Sequence, residues 1–527
     1  MLHNPILPGF HPDPSIVRVG EFFYIATSTF EWFPGVRLHR SRDLVHWECC
    51  GHALTEPRHL DLVGVQDSAG VWAPSLTHHD GRFWLAFSVV RNRIGPFKDL
   101  TNYVTTATAI DGPWGDPVAL DGRGFDASLF HDDDGRSWLV EMQWDHRQGK
   151  PRFGGIVVQE FDRAGMRLVG PATTILRKPQ LIEGPNLYRH DGWYYLMLAE
   201  GGTGWNHSIS MARSRTITGP YEVDPQPFVL TSKYSPGNAL QKAGHGELVQ
   251  TAAGEWWLVH LCSRPLYPER RCLLGRETAA QKVVWSDDGW LRLAHGGHEP
   301  LVDLPAPLGL APQPLAAVAV RDDFSSGVLG HEWAALRGAI VPAWADLAAR
   351  PGWLRLRGRD SLHSLHQQSL VAKRLTAFHQ VAETSLDFTP AHFSQMAGLI
   401  FWYDTRNHIY LRVSFCPERG RIIDVVKTED GTYSELPEWI AAADWPLIHL
   451  RGTLDMDQLR LAVSVDGSTW QQLGGVHDAS KLSDDFGQGL RFTGTFAGIC
   501  CQDLSGFGQA ADFAHFTLRI TDPMRPA

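Results

Sequence analysis

The sequence has 527 residues, with 48 Lys and Arg against 58 Asp and Glu, a formal net charge of −10, and 43% hydrophobic residues. This balance, without a long basic run, is typical of a globular protein and argues against nucleic acid or an anionic membrane as a partner. The 20 Trp, 25 Phe and 51 Gly suit β-sheets joined by tight turns, although core packing alone explains most of the aromatic residues.

The N-terminus and the cysteines bear on the cellular compartment. The first residues, MLHNPILPGFHPDPS, lack the charged region and the apolar run of a secretory signal peptide. The seven cysteines include the adjacent pairs Cys49–Cys50 and Cys500–Cys501 and show no CxxC spacing, so neither a disulfide framework nor a zinc site is indicated. We therefore expect a cytoplasmic protein.

A short sequence motif, a glycine followed by aromatic residues and an apolar strand, occurs five times before residue 303. Its copies lie 54 to 62 residues apart and begin at Gly20, Gly81, Gly135, Gly192 and Gly254. Each follows a polar turn such as HDDDG or RHDG, which is typical of a hairpin. Helical solenoids fit less well, because the segments alternate or are wholly apolar. A repeat of this length holds the four strands of one blade, so we predict a five-bladed β-propeller over residues 1–303.

The strand before each repeat glycine carries a second signal. Equivalent positions in these strands hold Asp13, Ala73, Asp126, Glu183 and His245. Because the innermost strands of a propeller line its central channel, we expect these positions to converge near the axis. Like charges buried together are costly unless they are solvated, bound or partly protonated, so this set indicates a functional site.

Each of these residues also has a purely structural interpretation. Asp13 before proline and Glu183 before Gly-Pro fit turn positions, Asp126 fits a loop cap, and His245 fits a packed histidine. Independent turn residues have no reason to share one position in every repeat. The common register therefore favours the functional interpretation.

Paired carboxyl groups are suited to the hydrolysis of a glycosidic bond. One protonates the leaving oxygen and the other drives the attack, while a third carboxylate nearby raises the pKa of the acid by repulsion. Phe30, Trp32, Phe33 and Trp72 are predicted near the channel mouth, where they are candidates to stack on a sugar ring. Each aromatic alone fits a core position, but together with the carboxylates they favour a carbohydrate ligand.

The sequence predicts that the second half of the chain is a separate domain. Four prolines between Leu304 and Val320 exclude a membrane helix and indicate an interdomain linker over residues 304–320. Beyond it, segments such as LRLAVSVDGSTWQQL alternate around Asp-Gly turns at 430–431 and 466–467. We predict a two-sheet, jelly-roll-like β-sandwich over residues 321–527, a domain that is also a candidate to mediate a homo-oligomer.

Several longer motifs stand out along the chain: NPILPGFHPDPSIVR, GVWAPSL, GFDASLF, EGPNLY and LGRETA in the first half, and DDFSS and FTGTFAGICCQD in the second. The first set resembles glycoside hydrolase family 43, and the second resembles the C-terminal β-sandwich of its two-domain β-xylosidases. The resemblance implies an inverting hydrolase in which Asp13 is the general base, Glu183 the general acid, and Asp126 the residue that tunes and positions that acid. Inversion predicts that the carboxyl groups of Asp13 and Glu183 lie roughly 6.5–9.5 Å apart, with room for water.

The same resemblance implies roles for the surrounding residues. Arg276 would reach the sugar hydroxyls, the alternative being a salt bridge that closes the last blade. His245 would lie low in the channel, where some relatives hold a calcium ion through water, and no cofactor is implied for the chemistry itself. Phe496 would form one wall of the active site, the alternative being core packing. Asn186 stands where many members have His, which leaves the local hydrogen bonding open.

Three functional hypotheses follow. The first is an exo-acting β-1,4-xylosidase that releases xylose from short xylo-oligosaccharides. The second is an α-L-arabinofuranosidase acting on arabinose-containing oligosaccharides, alone or as a dual activity. The third, from another class, is a non-catalytic carbohydrate-binding propeller, against which the joint presence of Asp13, Asp126 and Glu183 argues.

Overall fold

The computed structural model describes residues 1–315 and 320–521, and these residues form an all-β molecule. Within this part of the chain the one helix is a short 3-10 segment, Ala479–Lys481. None of the described residues belongs to a helix that is long and apolar enough to span a membrane.

Five sheets of antiparallel strands form the first half of the chain, which confirms the predicted five-bladed propeller. We number the blades 1 to 5 in chain order and give their strands from the inner one outwards. Blade 1 contains Ser15–Val19, Phe22–Thr27, Gly35–Ser41 and Glu48–Leu54. Blade 2 contains Ser75–His79, Arg82–Asn92 (also paired with Gly70–Val71), Asp99–Ala107 and Val118–Asp121. Blade 3 contains Gly124–His131, Ser137–Trp144, Phe153–Asp162 and Arg167–Leu176. Blade 4 contains Ile182–His190, Trp193–Glu200, Ser208–Ser214 and the short Glu222–Val223 and Leu230–Thr231. Blade 5 contains Gln241–Gln250, Trp256–Ser263, Glu277–Trp285 and Leu291–Leu293.

The repeat glycines lie in the turns between the first and second strands of each blade. At two of these turns both central residues have positive φ, 52° and 70° for Asp80 and Gly81, and 46° and 74° for Asp191 and Gly192. Two successive residues of positive φ make the type I′ turn, whose twist matches that of the flanking strands. The polar-glycine turns that marked the repeats are therefore hairpin turns.

Both ends of the first half meet at one place. Leu2–His3 pairs with Asp303–Leu304, and Leu7 bridges Thr278 in the last blade. Of the predicted linker, residues 305–315 have no regular secondary structure, and residues 316–319 lie outside the described residues.

Two eight-stranded sheets form the second half of the chain, as the predicted sandwich requires. In spatial order, the first sheet contains Ala345–Asp346, Leu354–Arg357, Ala510–Ile520, His379–Asp387, Ile448–Asp455, Gln458–Ser464 and Gln471–Asp478, and Arg321–Asp322 also pairs with Ala510–Ile520. In the same sense, the second sheet contains Thr432–Ala441, Gly420–Glu429, Asn407–Cys416, Gln395–Asp404, Phe496–Asp503, Ser369–Arg374, Ala334–Leu336 and Trp32–Phe33.

The last of these strands belongs to the propeller by sequence and corrects one prediction. Trp32 and Phe33 pair with Leu336 and Ala335, so a propeller segment forms the edge of a sandwich sheet. Both side chains are buried, at 0% and 2% exposure, within apolar clusters. They join the two domains and do not offer a surface for sugar at the channel mouth.

Candidate active site

Local distortions of the innermost strands aim the aligned polar residues into the channel. Asp13, Asp126 and His245 have φ of 54°, 55° and 37°, a region that non-glycine residues seldom adopt, and Gly184 after Glu183 has φ of 54°. Register shifts at the same place in blades 3, 4 and 5 mark β-bulges, which redirect side chains. Backbone strain of this kind concentrates at functional sites.

All five aligned positions line one cavity of about 670 Å³ at the end of the channel. The structure thus brings Asp13, Asp126, Glu183 and His245 together, with Ala73 as the fifth member. Arg276 also lines this cavity.

Asp13 is held as a carboxylate by cationic neighbours. Arg276 Nη1 lies 3.1 Å from Oδ1, Ser28 Oγ donates to Oδ2 at 2.7 Å, and His245 Nδ1 lies 3.4 Å from Oδ1. Burial opposes ionisation, but the charges of Arg276 and His245 outweigh it and keep the pKa of Asp13 well below its ordinary value. Arg276 therefore contacts the predicted base, and its Nη1 also donates to Thr203 Oγ1 at 2.9 Å.

Glu183 has the opposite electrostatic setting. Burial raises its pKa, the neighbouring charge of Asp126 raises it further, and His245 only partly compensates. The pKa of Asp126 is also raised, by burial and by Asp13, while the Gly184 N–H donates to its Oδ2 at 3.1 Å. His245 is the counter-charge of the group, because Asp13 outweighs the effect of burial and raises its pKa to about 9.

Hydrogen bonds between neighbouring blades connect the innermost strands that carry the carboxylates. They run from Leu76 N to Ser15 Oγ, Leu129 N to Ser75 Oγ, Ser128 Oγ to Pro185 O, Asn186 Nδ2 to Gly246 O, and Ser15 Oγ to Glu247 Oε2. Asn186 thus links blades 4 and 5, and this bond is the local hydrogen bonding that the sequence had left open for Asn186.

The atoms around His245 do not offer the ligands that a calcium ion beside the ring would need. Nδ1 faces Asp13, and Nε2 lies against Gly184, where an added Cβ would approach it to 2.8 Å. Calcium prefers six to eight oxygen ligands, whereas the ring offers only nitrogens, and both of them already face other groups.

Aromatic rings form the propeller side of the cavity. Phe30 and Trp72 line the cavity, as predicted. Phe125 packs edge-on against Trp72, with ring centroids 4.9 Å apart. Trp144 extends this wall, and Lys98 Nζ lies 4.4 Å from its ring centroid. A concave, largely aromatic wall beside a few polar groups is the usual form of a site for a sugar-sized ligand.

A loop of the sandwich, residues 482–494, forms the opposite wall. Phe492 lines the cavity, with ring centroids 6.0 Å from Phe30 and 5.9 Å from Trp72. Its N–H donates to Ser68 Oγ at 3.1 Å, and its carbonyl accepts from Arg276 Nε at 3.0 Å. The second domain therefore completes the cavity.

Phe496 does not form this wall, so the prediction made for it is wrong. It is fully buried and stacks on Trp32 with centroids 3.8 Å apart. As the first residue of a strand paired with Arg374 and Trp402, it points into the domain interface. Phe492, four residues earlier, has the role that was expected of Phe496.

Buried ion pairs fix both ends of this loop. Lys242 Nζ, from blade 5, lies 3.0 Å from Asp484 and 2.7 Å from Asp485. At the other end, Arg491 Nε lies 2.9 Å from Asp404 Oδ2 and its Nη2 lies 3.0 Å from Asp430 Oδ1. The wall that Phe492 provides is thus held from two sides.

The sequence predicted that a loop of the second domain covers the site, but it did not lead to Phe492, Phe125, Trp144 or Lys98. Phe125 could have been predicted from the sequence. It precedes Asp126 just as Trp72 precedes Ala73, and residues at the same position in two blades are expected to line the same cavity. No local pattern marks Lys242 and Asp484 as partners, since they lie 242 residues apart.

Comparisons with known proteins agree with this architecture. The model of "Glycosyl hydrolases family 43" matches residues 2–291, and that of "Beta xylosidase C-terminal Concanavalin A-like domain" matches residues 321–519. The chain is 44% identical to "Xylosidase/arabinosidase 43B" of Humicola insolens, over 98% of this chain and 97% of that protein. It is 42% identical to "Xylan 1,3-beta-xylosidase" of a Vibrio species, over 98% of both.

A solved structure is similar over the full length. The xylan β-1,4-xylosidase from Bacillus halodurans C-125 superposes with a TM-score of 0.97 at 50% identity, covering 98% of this chain and 100% of that one. With a family model over more than half of the residues and relatives above 40% identity over both domains, the chain belongs to glycosyl hydrolase family 43.

Proposed function

We propose that the protein is an exo-acting β-xylosidase that releases xylose from the end of short β-1,4-linked xylo-oligosaccharides with inversion of configuration. The observation that carries the proposal is the contrast between two carboxyl groups of one cavity. Asp13 is held ionised and Glu183 is held protonated. Glycoside hydrolysis by inversion needs a base and an acid in these states.

The mechanism assigns one task to each group. Glu183 donates its proton to the glycosidic oxygen as the bond to the leaving sugar breaks. Asp13 accepts a proton from a water that attacks the anomeric carbon from the opposite face. Asp126 accepts from the Gly184 N–H beside Glu183 and raises the pKa of Glu183 by its charge. The required separation of 6.5–9.5 Å between Asp13 and Glu183 stays a prediction.

Cleavage at a chain end is supported by the shape of the cavity. Blade loops form one side, and the sandwich loop with Phe492 covers the other. A long polysaccharide running through the site would need this second side to be open. A terminal sugar that enters from the mouth fits the closed arrangement.

The identity of the sugar rests on the relatives. Xylose is named for the Bacillus halodurans structure and for the Vibrio protein, and both xylosidase and arabinosidase activities are named for the Humicola insolens protein. α-L-Arabinofuranosidase activity is therefore the second candidate. The Vibrio relative makes the β-1,3 linkage a necessary comparison.

The test compares 4-nitrophenyl β-D-xylopyranoside, 4-nitrophenyl α-L-arabinofuranoside and the β-1,4- and β-1,3-xylobioses, using wild type and Glu183→Gln. We expect the variant to lose about 10²–10⁴-fold on β-1,4-xylobiose. The loss should be smaller on the nitrophenyl glycoside, whose leaving group needs less protonation. Equal turnover by wild type and variant on xylobiose would contradict the assignment of the acid.

The stereochemistry is read from the first product. Proton NMR during hydrolysis of 4-nitrophenyl β-D-xylopyranoside, which releases a single xylose, should show α-xylose before mutarotation equilibrates the anomers. Initial β-xylose would contradict inversion.

We also propose a cytoplasmic location. All seven cysteines are free thiols, and a reducing compartment keeps thiols in this state. Fractionation of the producing cells tests this, and enrichment in the culture medium would overturn it.

A further inference from the structure

A second cluster of polar side chains lies outside the active site, between the propeller and the sandwich. Arg37 and His39 alternate on the strand Gly35–Ser41, and Arg37 pairs in register with His52 on the next strand. Arg374 comes from the sandwich, and His11 comes from the segment that leads to Asp13. We call these five residues the arginine–histidine cluster, and all are at most 7% exposed.

The members of the cluster lie close together. The rings of His11 and His39 have centroids 4.9 Å apart, and Arg37 Nε donates to His39 Nε2 at 3.3 Å. Burial lowers the pKa of the His11, His39 and His52 rings well below the ordinary value, and the charges of Arg37 and Arg374 lower it further, so these rings are neutral.

The positive charge of the cluster is only partly compensated. Arg37 forms an ion pair with Glu332, Nη2 to Oε1, at 2.5 Å. Arg374 has no carboxylate within ion-pair distance among the residues of 1–315 and 320–521, although it is 4% exposed. Its pKa is lowered to about 9 by burial and then by Arg37. An unpaired guanidinium in such a place is costly unless something compensates its charge.

Several buried nitrogens of the cluster lack a partner within the described chain. Arg374 Nε donates to the Phe10 carbonyl at 2.9 Å, but Arg374 Nη1 has no acceptor. His39 accepts at Nε2, so the neutral ring carries its proton on Nδ1, and that N–H also has no acceptor. His52 Nε2 and His11 Nε2 are two further buried nitrogens without a partner. His11 donates from Nδ1 to the Pro8 carbonyl at 3.1 Å, so its Nε2 is an acceptor in the neutral ring. The set is rich in donors and in positive charge.

From these contacts we propose that the arginine–histidine cluster is a binding site for a small monovalent anion of the size of chloride. Arg374 Nη1, His39 Nδ1 and His52 Nε2 hold the anion, and Arg374 supplies the charge that it neutralises. His52 also lines a cleft of about 620 Å³ that opens beside His331, which provides a path from solvent. A neutral water would satisfy donors but would leave the guanidinium uncompensated.

The position of the site gives the anion a structural task. Arg374 Nε donates to the Phe10 carbonyl, and the His11 N–H donates to the Arg276 carbonyl at 2.9 Å. The segment that bears both residues continues into Asp13. A bound anion would therefore stabilise the domain interface and the segment that carries the general base, whichever sugar the enzyme cleaves.

The experiment is a chloride titration of the full chain against sodium gluconate at constant ionic strength, followed by thermal unfolding. Chloride should raise the melting temperature by about 2 °C or more along a single-site saturation curve. Arg374→Met should abolish the rise, while Arg357→Met, at an exposed arginine of the same domain, should retain it. A rise that persists in Arg374→Met would overturn the proposal.

A second measurement does not depend on the folding of any variant. Wild-type crystals grown with bromide in place of chloride should show an anomalous peak in contact with Arg374 and His39. No peak at this position would mean that water fills the site, and the proposal would then be wrong.

Discussion

The backbone carbonyl of Phe492, in the β-sandwich, accepts a hydrogen bond of 3.0 Å from Nε of Arg276, in the propeller. The same guanidinium points its two terminal nitrogens at Asp13. A main-chain atom of the second domain thus orients the cation that keeps the general base ionised. The sandwich therefore forms one wall of the site and also orients the cation that sets the charge of Asp13.

Arg276→Gln is expected to weaken catalysis and to shift its acid limb. Loss of a hydrogen bond to a charged group costs roughly 1.5–3 kcal/mol, which corresponds to about a 10- to 100-fold fall in kcat/KM. Because Arg276 lowers the pKa of Asp13, its removal raises that pKa, and the acid limb of the kcat/KM profile moves to higher pH. The exposed Arg215 is the control, and Arg215→Gln should leave both quantities unchanged. An acid limb that stays in place would contradict this role of Arg276.

Asp126→Asn is expected to move the opposite limb. The enzyme loses activity as Glu183 deprotonates, and Asp126 is the second cause, after burial, of the raised pKa of Glu183. Removing this negative charge lowers the pKa of Glu183, so the alkaline limb moves to lower pH. The measurement is kcat/KM against pH, with Asp287→Asn at an exposed surface position as the control. A shift to higher pH would show that Asp126 acts mainly through its hydrogen bond with Gly184.

The carboxylates of these predictions were readable from sequence because each occupies the same backbone position in its blade. A propeller repeats its geometry, so register alone placed Asp13, Asp126, Glu183 and His245 around one axis. The second domain has no such repeat, and which of Phe492 and Phe496 faces the cavity depends on where a strand begins. Trp32 likewise belongs to a sheet whose other strands lie between Ala334 and Asp503, which no local pattern reveals.

Phe492→Ala and Phe496→Ala should separate the cavity wall from the domain interface. Phe492 is partly exposed to the cavity, so its truncation should raise KM for β-1,4-xylobiose with a small change in the melting temperature. Phe496 is fully buried against Trp32, so its truncation should cost about 3–5 kcal/mol of unfolding free energy. Its KM should change little in the folded enzyme. The reverse pattern would restore Phe496 as the wall.

Lys242→Met tests whether the sandwich loop must be held by the propeller. The ammonium group compensates Asp484 and Asp485, and the side chains of Lys242 and Asp484 are 3% and 5% exposed. Removing one partner of a buried ion pair leaves an uncompensated charge and costs about 3–5 kcal/mol. The loosened loop should also raise KM more than it lowers kcat, because it carries the Phe492 wall and contacts no reacting group.

The double variant Lys242→Met with Asp485→Asn separates this loss of compensation from a general packing defect. Asp485→Asn removes one of the charges that Lys242→Met leaves unpaired, so the double variant should be more stable than Lys242→Met alone. Thermal unfolding of the two single variants and the double variant gives this coupling directly. Strictly additive losses would mean that the ion pair contributes no coupling energy, and the loop would then be held chiefly by Arg491 with Asp404 and Asp430.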